Sequence, residues 1–93
     1  MLAPLTDHAR VRMQQRGIPN AAVEVLLDYG TEAYDHRGCR IVRFDKRSRK
    51  RAARELGERS FRAVERYLDT YAVVASDDAV VTVGYRQRRL PQP

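Results

Sequence analysis

Apolar residues at helical spacing mark the first thirty residues of the chain. An amphipathic helix is predicted over residues 5–15 by an apolar stripe at every fourth position, formed by Leu5, Ala9 and Met13. Gly17 follows it as the left-handed residue that commonly ends a helix. A second amphipathic helix is expected between Pro19 and Gly30, with an apolar face formed by Ala22, Val23, Leu26 and Leu27.

Strand-like segments then alternate with a further helical stretch. Residues 31–35 and 39–44 flank a short glycine-containing loop, which predicts a β-hairpin. Residues 71–75 and 79–85 predict a second hairpin, in which Val81, Val83 and Tyr85 would share one face. The segment between the hairpins has helical character and is divided by Gly57. The order α-α-β-β-α(α)-β-β indicates an α+β domain with an antiparallel sheet of about four strands.

Length and composition exclude several classes of protein. The 93 residues suit one domain, and 43% hydrophobic with 32% charged residues is typical of a globular chain. No apolar run approaches the roughly 20 residues of a membrane span. Cys39 is the single cysteine, so an internal disulfide is excluded, and a reducing cytoplasm is the expected compartment. We expect no metal and no cofactor.

The net positive charge of the chain arises entirely from its second half. Residues 1–45 contain 6 Arg and 6 acidic residues, whereas residues 46–93 contain 12 basic and 6 acidic residues, which gives the net charge of +6. Such asymmetry favours a polyanionic partner, most often a nucleic acid. A solvated basic face remains the alternative, because 16 of the 18 basic residues are Arg, as a GC-rich genome would also produce.

Two basic segments are the candidate contacts to nucleic acid. The first opens the third helical stretch without any acidic residue and contains Lys46, Arg47, Arg49, Lys50, Arg51 and Arg54. The second is the C-terminal tail, residues 86–93, with Arg88 and Arg89. Helix N-termini favour anions, so phosphate could bind at the first segment. Otherwise, later acids such as Glu55, Glu58 and Glu65 would partly neutralise a solvated face.

The first helix carries the most specific motif, His8-Ala9-Arg10-Val11-Arg12-Met13-Gln14-Gln15-Arg16-Gly17-Ile18. It resembles the bacterial domain of unknown function 4258 family, which begins with His-Ala-x-x-Arg-Met-x-x-Arg-Gly-Ile. The end of the last strand, Val80 to Arg86, is similar to the family's apolar strand and basic residue, and the helical segment 46–70 looks like an insertion. The family plan is similar to the RelE/ParE-type toxin fold. That resemblance implies metal-free RNA cleavage and an acidic antitoxin-like partner, with RNA favoured over DNA.

Metal-independent RNA cleavage would require a proton-transfer group and cations on the phosphate. His8 is the candidate for proton transfer because imidazole is the side-chain type suited to it, and Arg12, four residues later, offers a planar guanidinium to phosphate. Arg86 and Tyr85 on the last strand are the candidates from the sheet side. Arg16 instead suits a structural role at the helix end, through carbonyls or nearby acids. Because the sequence shows no unambiguous acid–base pair, a non-enzymatic nucleic-acid-binding or regulatory module is the alternative to an RNA-cleaving enzyme.

Overall fold

A computed structural model describes residues 4–35 and 37–86 of the chain. The helices are α1 (Asp7–Arg16), α2 (Asn20–Tyr29), α3 (Lys46–Leu56) and α4 (Glu58–Val64), followed by a short 3-10 turn (Glu65–Tyr67). The strands are β1 (Thr31–Tyr34), β2 (Arg40–Arg43), β3 (Thr70–Val74) and β4 (Val80–Tyr85). The predicted α+β class and element order are confirmed, with α3 and α4 inserted between the two hairpins.

The four strands form one antiparallel sheet in the order β1-β2-β3-β4, and the core covers one of its faces. The sheet contributes Val42, Ala72, Val74, Val80 and Val83 to this core. The helices contribute Ala9, Met13, Ala22, Val23, Leu26 and Ala52, as the apolar spacing of α1 and α2 predicts. Phe44, which follows β2, is the largest fully buried side chain. None of the described helices is long and apolar enough to cross a membrane.

The alternation along β4 differs from the predicted one. A register shift opposite the end of β3 leaves Val81 as an extra residue between Val80 and Thr82. A bulge of this kind places two residues opposite one and reverses the alternation beyond it. Val80 rather than Val81 therefore shares the buried face with Val83, and Tyr85 at the strand end is 40% exposed.

The start of α1 is anchored to β4, which lies at one edge of the sheet. The Thr6 backbone N–H donates to the Val80 carbonyl at 3.0 Å. The Thr6 hydroxyl caps the helix by accepting from the Ala9 N–H at 3.1 Å, and it donates to the Val81 carbonyl at 3.2 Å. Gly17 ends the helix at φ 65°, the left-handed conformation expected from the sequence. Helix α1 thus begins beside the first residues of β4 and runs in the direction of that strand.

Candidate nucleic-acid interface

Helix α3 tolerates basic residues in its first turn because the Asp45 carboxylate caps the helix. Asp45 Oδ1 accepts from the Ser48 backbone N–H at 2.8 Å, and the Asp45 N–H donates to Ser48 Oγ at 2.8 Å, which completes a capping box. The Thr31 hydroxyl donates to Asp45 Oδ2 at 3.0 Å. These hydrogen bonds lower the pKa of Asp45, and the bond from the Ser48 backbone N–H has the largest effect. The negative charge of Asp45 offsets the cost of cations at a helix N-terminus.

The lowered pKa of Asp45 makes a pH dependence of stability testable. A carboxylate with a depressed pKa stabilises the fold above its ordinary pKa of about 3.9, and this contribution is lost as the pH falls through the lowered value. Asn retains capping ability without the charge. We expect Asp45→Asn to have a lower Tm than the wild type near pH 7, and the two melting temperatures to converge as the pH falls below the lowered pKa of Asp45. Thermal melts across that range are the measurement, and a difference independent of pH would contradict the role of the charge.

The exposed side of α3 is one continuous cationic surface. We call it the α3 basic face, and it consists of Lys46, Arg47, Lys50, Arg51 and Arg54. These residues recur every three or four positions and line a shallow concavity of about 670 Å³. Ser48 and Ala52 lie on the buried side of the same helix. The helix therefore separates its small residues, which pack on the core, from its charges, which face solvent.

Few of these cations are neutralised by the protein itself. Arg51 forms an ion pair with Glu55, with Nε 3.1 Å from Oε2, and its guanidinium lies 5.4 Å from the centre of the Tyr29 ring. Glu58, the second acid expected to partner the segment, pairs with Arg62 at 2.9 Å instead. Among the described residues, no acidic side chain lies within ion-pair distance of the remaining members of the face, Lys46, Arg47, Lys50 and Arg54.

A second basic concavity adjoins the first where the sheet meets α3. This junction groove, of about 370 Å³, is lined by Arg43, Phe44, Asp45, Lys46, Arg49 and Arg86. The Arg86 N–H donates to the Asp69 carbonyl at 2.6 Å, and its Nη1 donates to the Phe44 carbonyl at 3.1 Å. Arg49 Nη2 lies 2.8 Å from Asp69 Oδ1. Lys46 belongs to both concavities, so the basic surface continues from α3 to the end of the last strand.

The residues predicted to act in catalysis are distributed along α1 and β4. Arg12 Nε donates to His8 Nε2 at 3.4 Å, so these two side chains are neighbours, both on the helix. His8 lies in the first turn of α1, next to the start of β4, whereas Arg86 follows the end of that strand. A strand of six residues spans roughly 20 Å. The structure therefore places His8 near the start of β4, with Arg12 one turn further along α1, whereas Tyr85 and Arg86 lie at the other end of the strand.

Arg16 occupies a different position from the one expected of a helix-end arginine. It forms no ion pair with Glu24 or Asp28 in the part of the chain that the structure describes. Its Nη1 lies instead over Gly84 of β4, beside the Tyr71 ring. Arg16 thus reaches past the edge strand to the sheet surface opposite the core.

The remaining predicted residues are assigned as follows. Arg88 and Arg89, the tail candidates, and His36 lie outside the described residues. Cys39 is a free thiol of intermediate exposure beside β2. Within residues 4–35 and 37–86, no group of three or more His, Cys, Asp and Glu side chains is placed to hold a metal ion.

Arg43 is a groove residue that the sequence reasoning missed. The sequence pattern predicts only that it lies in a strand, yet its side chain lines the junction groove with Arg86. The available signal was the period of two in β2: Val42 and Phe44 are buried, so Arg43 must point to the other side. Chemically, the combined surface offers guanidinium and ammonium donors suited to binding phosphate at several points.

Comparison with known proteins identifies one family that the chain matches. Searches among curated proteins and among solved structures gave no match. A comparison with protein families matched residues 5–85 to the family described as Domain of unknown function (DUF4258). The matched region runs from the residue before the α1 cap to the end of β4 and includes α3 and α4. The chain therefore belongs to the DUF4258 family.

Proposed function

We propose that this domain binds the phosphate backbone of nucleic acid, RNA in preference to DNA, through the α3 basic face and the junction groove. One observation carries the proposal: six cations on this surface have no acidic partner among the described residues. They are Arg43, Lys46, Arg47, Lys50, Arg54 and Arg86. Unneutralised cations collected on one surface repel one another, and a polyanion removes that repulsion by binding.

The geometry supports backbone contact rather than recognition of a base sequence. Contacts to phosphate set the position of a nucleic acid but carry no sequence information. The α3 basic face contains no Asn or Gln, the side chains that pair with adenine edges. The preference for RNA rests on the similarity of the family's plan to the RelE/ParE-type toxin fold, and the signature from His8 to Ile18 is what resembles the family. The single cysteine favours a cytoplasmic location, where that RNA would be met.

The salt dependence of binding tests this function. Neutralising six phosphates predicts a slope of about −5 for log affinity against log salt on a duplex, and about −4 on a single strand. The measurement is fluorescence anisotropy with labelled RNA and DNA of one mixed sequence, between about 50 and 200 mM salt. Affinity that is unchanged over this range would exclude backbone binding.

Metal-independent RNA cleavage is the second candidate, and the contact between His8 and Arg12 favours it. His8 Nε2 accepts a hydrogen bond from Arg12 Nε at 3.4 Å, and both groups lie on the surface side of α1. Such a pair can hold a phosphate next to a proton acceptor. Incubating the same RNA with the protein in EDTA distinguishes the candidates, because a cleaving domain shortens the RNA and a binding module leaves it intact. An acidic antitoxin-like protein would compete with RNA for the same cations.

A further inference from the structure

One face of the sheet is left open by the packing of the helices. Every sheet residue in the core lies on the face that the helices cover, and no described residue of the opposite face belongs to that core. The strand register aligns the opposite face in two rows across the sheet. One row contains Thr31, Arg43, Tyr71 and Gly84, and the next contains Ala33, Ile41, Val73 and Thr82. We call these two rows the open face.

The first row places an aromatic ring between two cations. Tyr71 has Arg43 as its partner on β2 and Gly84 as its partner on β4. At Gly84, a Cβ would lie 3.0 Å from Tyr71 Cε1 and 3.1 Å from Tyr71 Oη, and it would collide with Arg16 Nη1. Because glycine has no side chain, the tyrosine ring and the Arg16 guanidinium share the space above it. Tyr71 is therefore flanked by Arg43 on one side and Arg16 on the other.

The second row supplies an apolar surface next to that ring. Ile41 and Val73 are only partly buried, although they lie at the centre of the sheet. In a protein that covered both faces of its sheet, these positions would be core. Here they form a partly exposed apolar surface in the row next to Tyr71.

The open face is continuous with the proposed phosphate-binding surface. Arg43 belongs to the first row of the open face and also lines the junction groove with Lys46 and Arg86. A chain of phosphates lying along the α3 basic face and the groove would therefore reach the open face at Arg43. The negative charge of these phosphates complements Arg16 and Arg43, and the bases of the same nucleic acid would contact Tyr71.

We propose that the open face binds unpaired nucleotides, with a base stacked on Tyr71 and the flanking phosphates held by Arg16 and Arg43. The ligand is then single-stranded RNA rather than a duplex, because paired bases within an RNA helix cannot stack on a protein ring. This inference rests on the proposed function and specifies its substrate class. It also gives Gly84 a role, since any side chain there would displace Arg16 and the ring from their shared position.

The test compares tyrosine variants on two forms of one RNA. Binding of a labelled 12-nucleotide RNA is measured as the single strand and as its duplex, at one salt concentration. Tyr71→Val removes the ring and keeps a residue suited to a strand, whereas Tyr71→Phe keeps the ring. Tyr34→Val is the matched control, because Tyr34 is 73% exposed on β1 and lies on the other face of the sheet.

We expect Tyr71→Val to weaken binding of the single strand by about 5- to 150-fold, the range for loss of one stacked base. Its affinity for the duplex should stay within about twofold of the wild type, as should Tyr71→Phe and Tyr34→Val on both forms. Equal affinity of the wild-type protein for both forms, or no effect of Tyr71→Val, would overturn the inference while leaving backbone binding intact. A change in self-association without a change in RNA affinity would assign the open face to a second copy of the chain and overturn it as well. Failure of the wild type to bind either form would instead remove the proposed function.

Discussion

Replacing Lys46, Arg47, Lys50 and Arg54 together with Gln should weaken RNA binding about a thousandfold at roughly 0.1 M salt. Each lost phosphate contact removes about 0.7 to 0.9 from the slope of log affinity against log salt, so four contacts remove about 3 to 4. These four residues are chosen because none of them has an acidic partner among the described residues, whereas Arg49 and Arg51 pair with Asp69 and Glu55. Their substitution therefore leaves the ion pairs of α3 in place.

The same charge change elsewhere provides the control for this prediction. Arg10, Arg37, Arg59 and Arg62 are exposed and lie outside both concavities of the basic surface. Replacing these four with Gln lowers the net charge equally. The control should retain most of the slope and affinity if binding is local to α3. Equal losses in both variants would show that net charge, rather than the α3 basic face, determines affinity. Thermal melts of both proteins establish that each remains folded.

Local signals in the sequence are sufficient to predict the helices and the position of the α3 basic face. The spacing of Ala9 and Met13, with Gly17 as the stop, predicts α1 correctly because both signals act within a few turns of one helix. The signal for the start of α3 is also local, because Asp45 and Ser48, three residues apart, form the reciprocal hydrogen bonds of a capping box. A run of cations on such a helix remains on the surface because burial of unpaired charge is prohibitive. Its position could therefore be predicted before the fold was known.

The open face could not be predicted, because it depends on contacts between distant segments. Arg43 and Tyr71 become neighbours only through the register of β2 with β3. Arg16 reaches Gly84 only because α1 runs along the edge strand. The bulge at Val81 likewise depends on how β3 and β4 pair, and a period of two has no information about an inserted residue. The distance between His8 and Arg86 also depends on how α1 packs along β4, so the sequence alone does not show that they lie at opposite ends of the strand.

Truncating the largest fully buried side chain should have the greatest effect on stability. Phe44 is 1% exposed and packs in the core directly before the Asp45 cap, and its carbonyl accepts the hydrogen bond from Arg86. Phe44→Ala removes a buried aromatic ring at a typical cost of about 3–5 kcal/mol. Since small domains are stable by only about 5–15 kcal/mol, this is a large part of the total. At roughly 4–8 °C per kcal/mol for a domain of this size, the Tm should fall by at least about 12 °C.

Two companion variants separate the loss of the ring from a general effect of mutation. Phe44→Leu keeps an apolar side chain in place and should cost less than Phe44→Ala, and Val11→Ala, at a site 49% exposed, should stay within about 0.5 kcal/mol. Because Phe44 positions both the start of α3 and the partner of Arg86, RNA affinity should be lost together with the folded state as Phe44→Ala is warmed. Thermal melts followed by circular dichroism, with anisotropy recorded at the same temperatures, are the measurement. A Tm for Phe44→Ala within a few degrees of the wild type would show that the core does not depend on this ring. Binding lost well below the melting transition would show instead that Phe44 orders the junction groove beyond its contribution to folding.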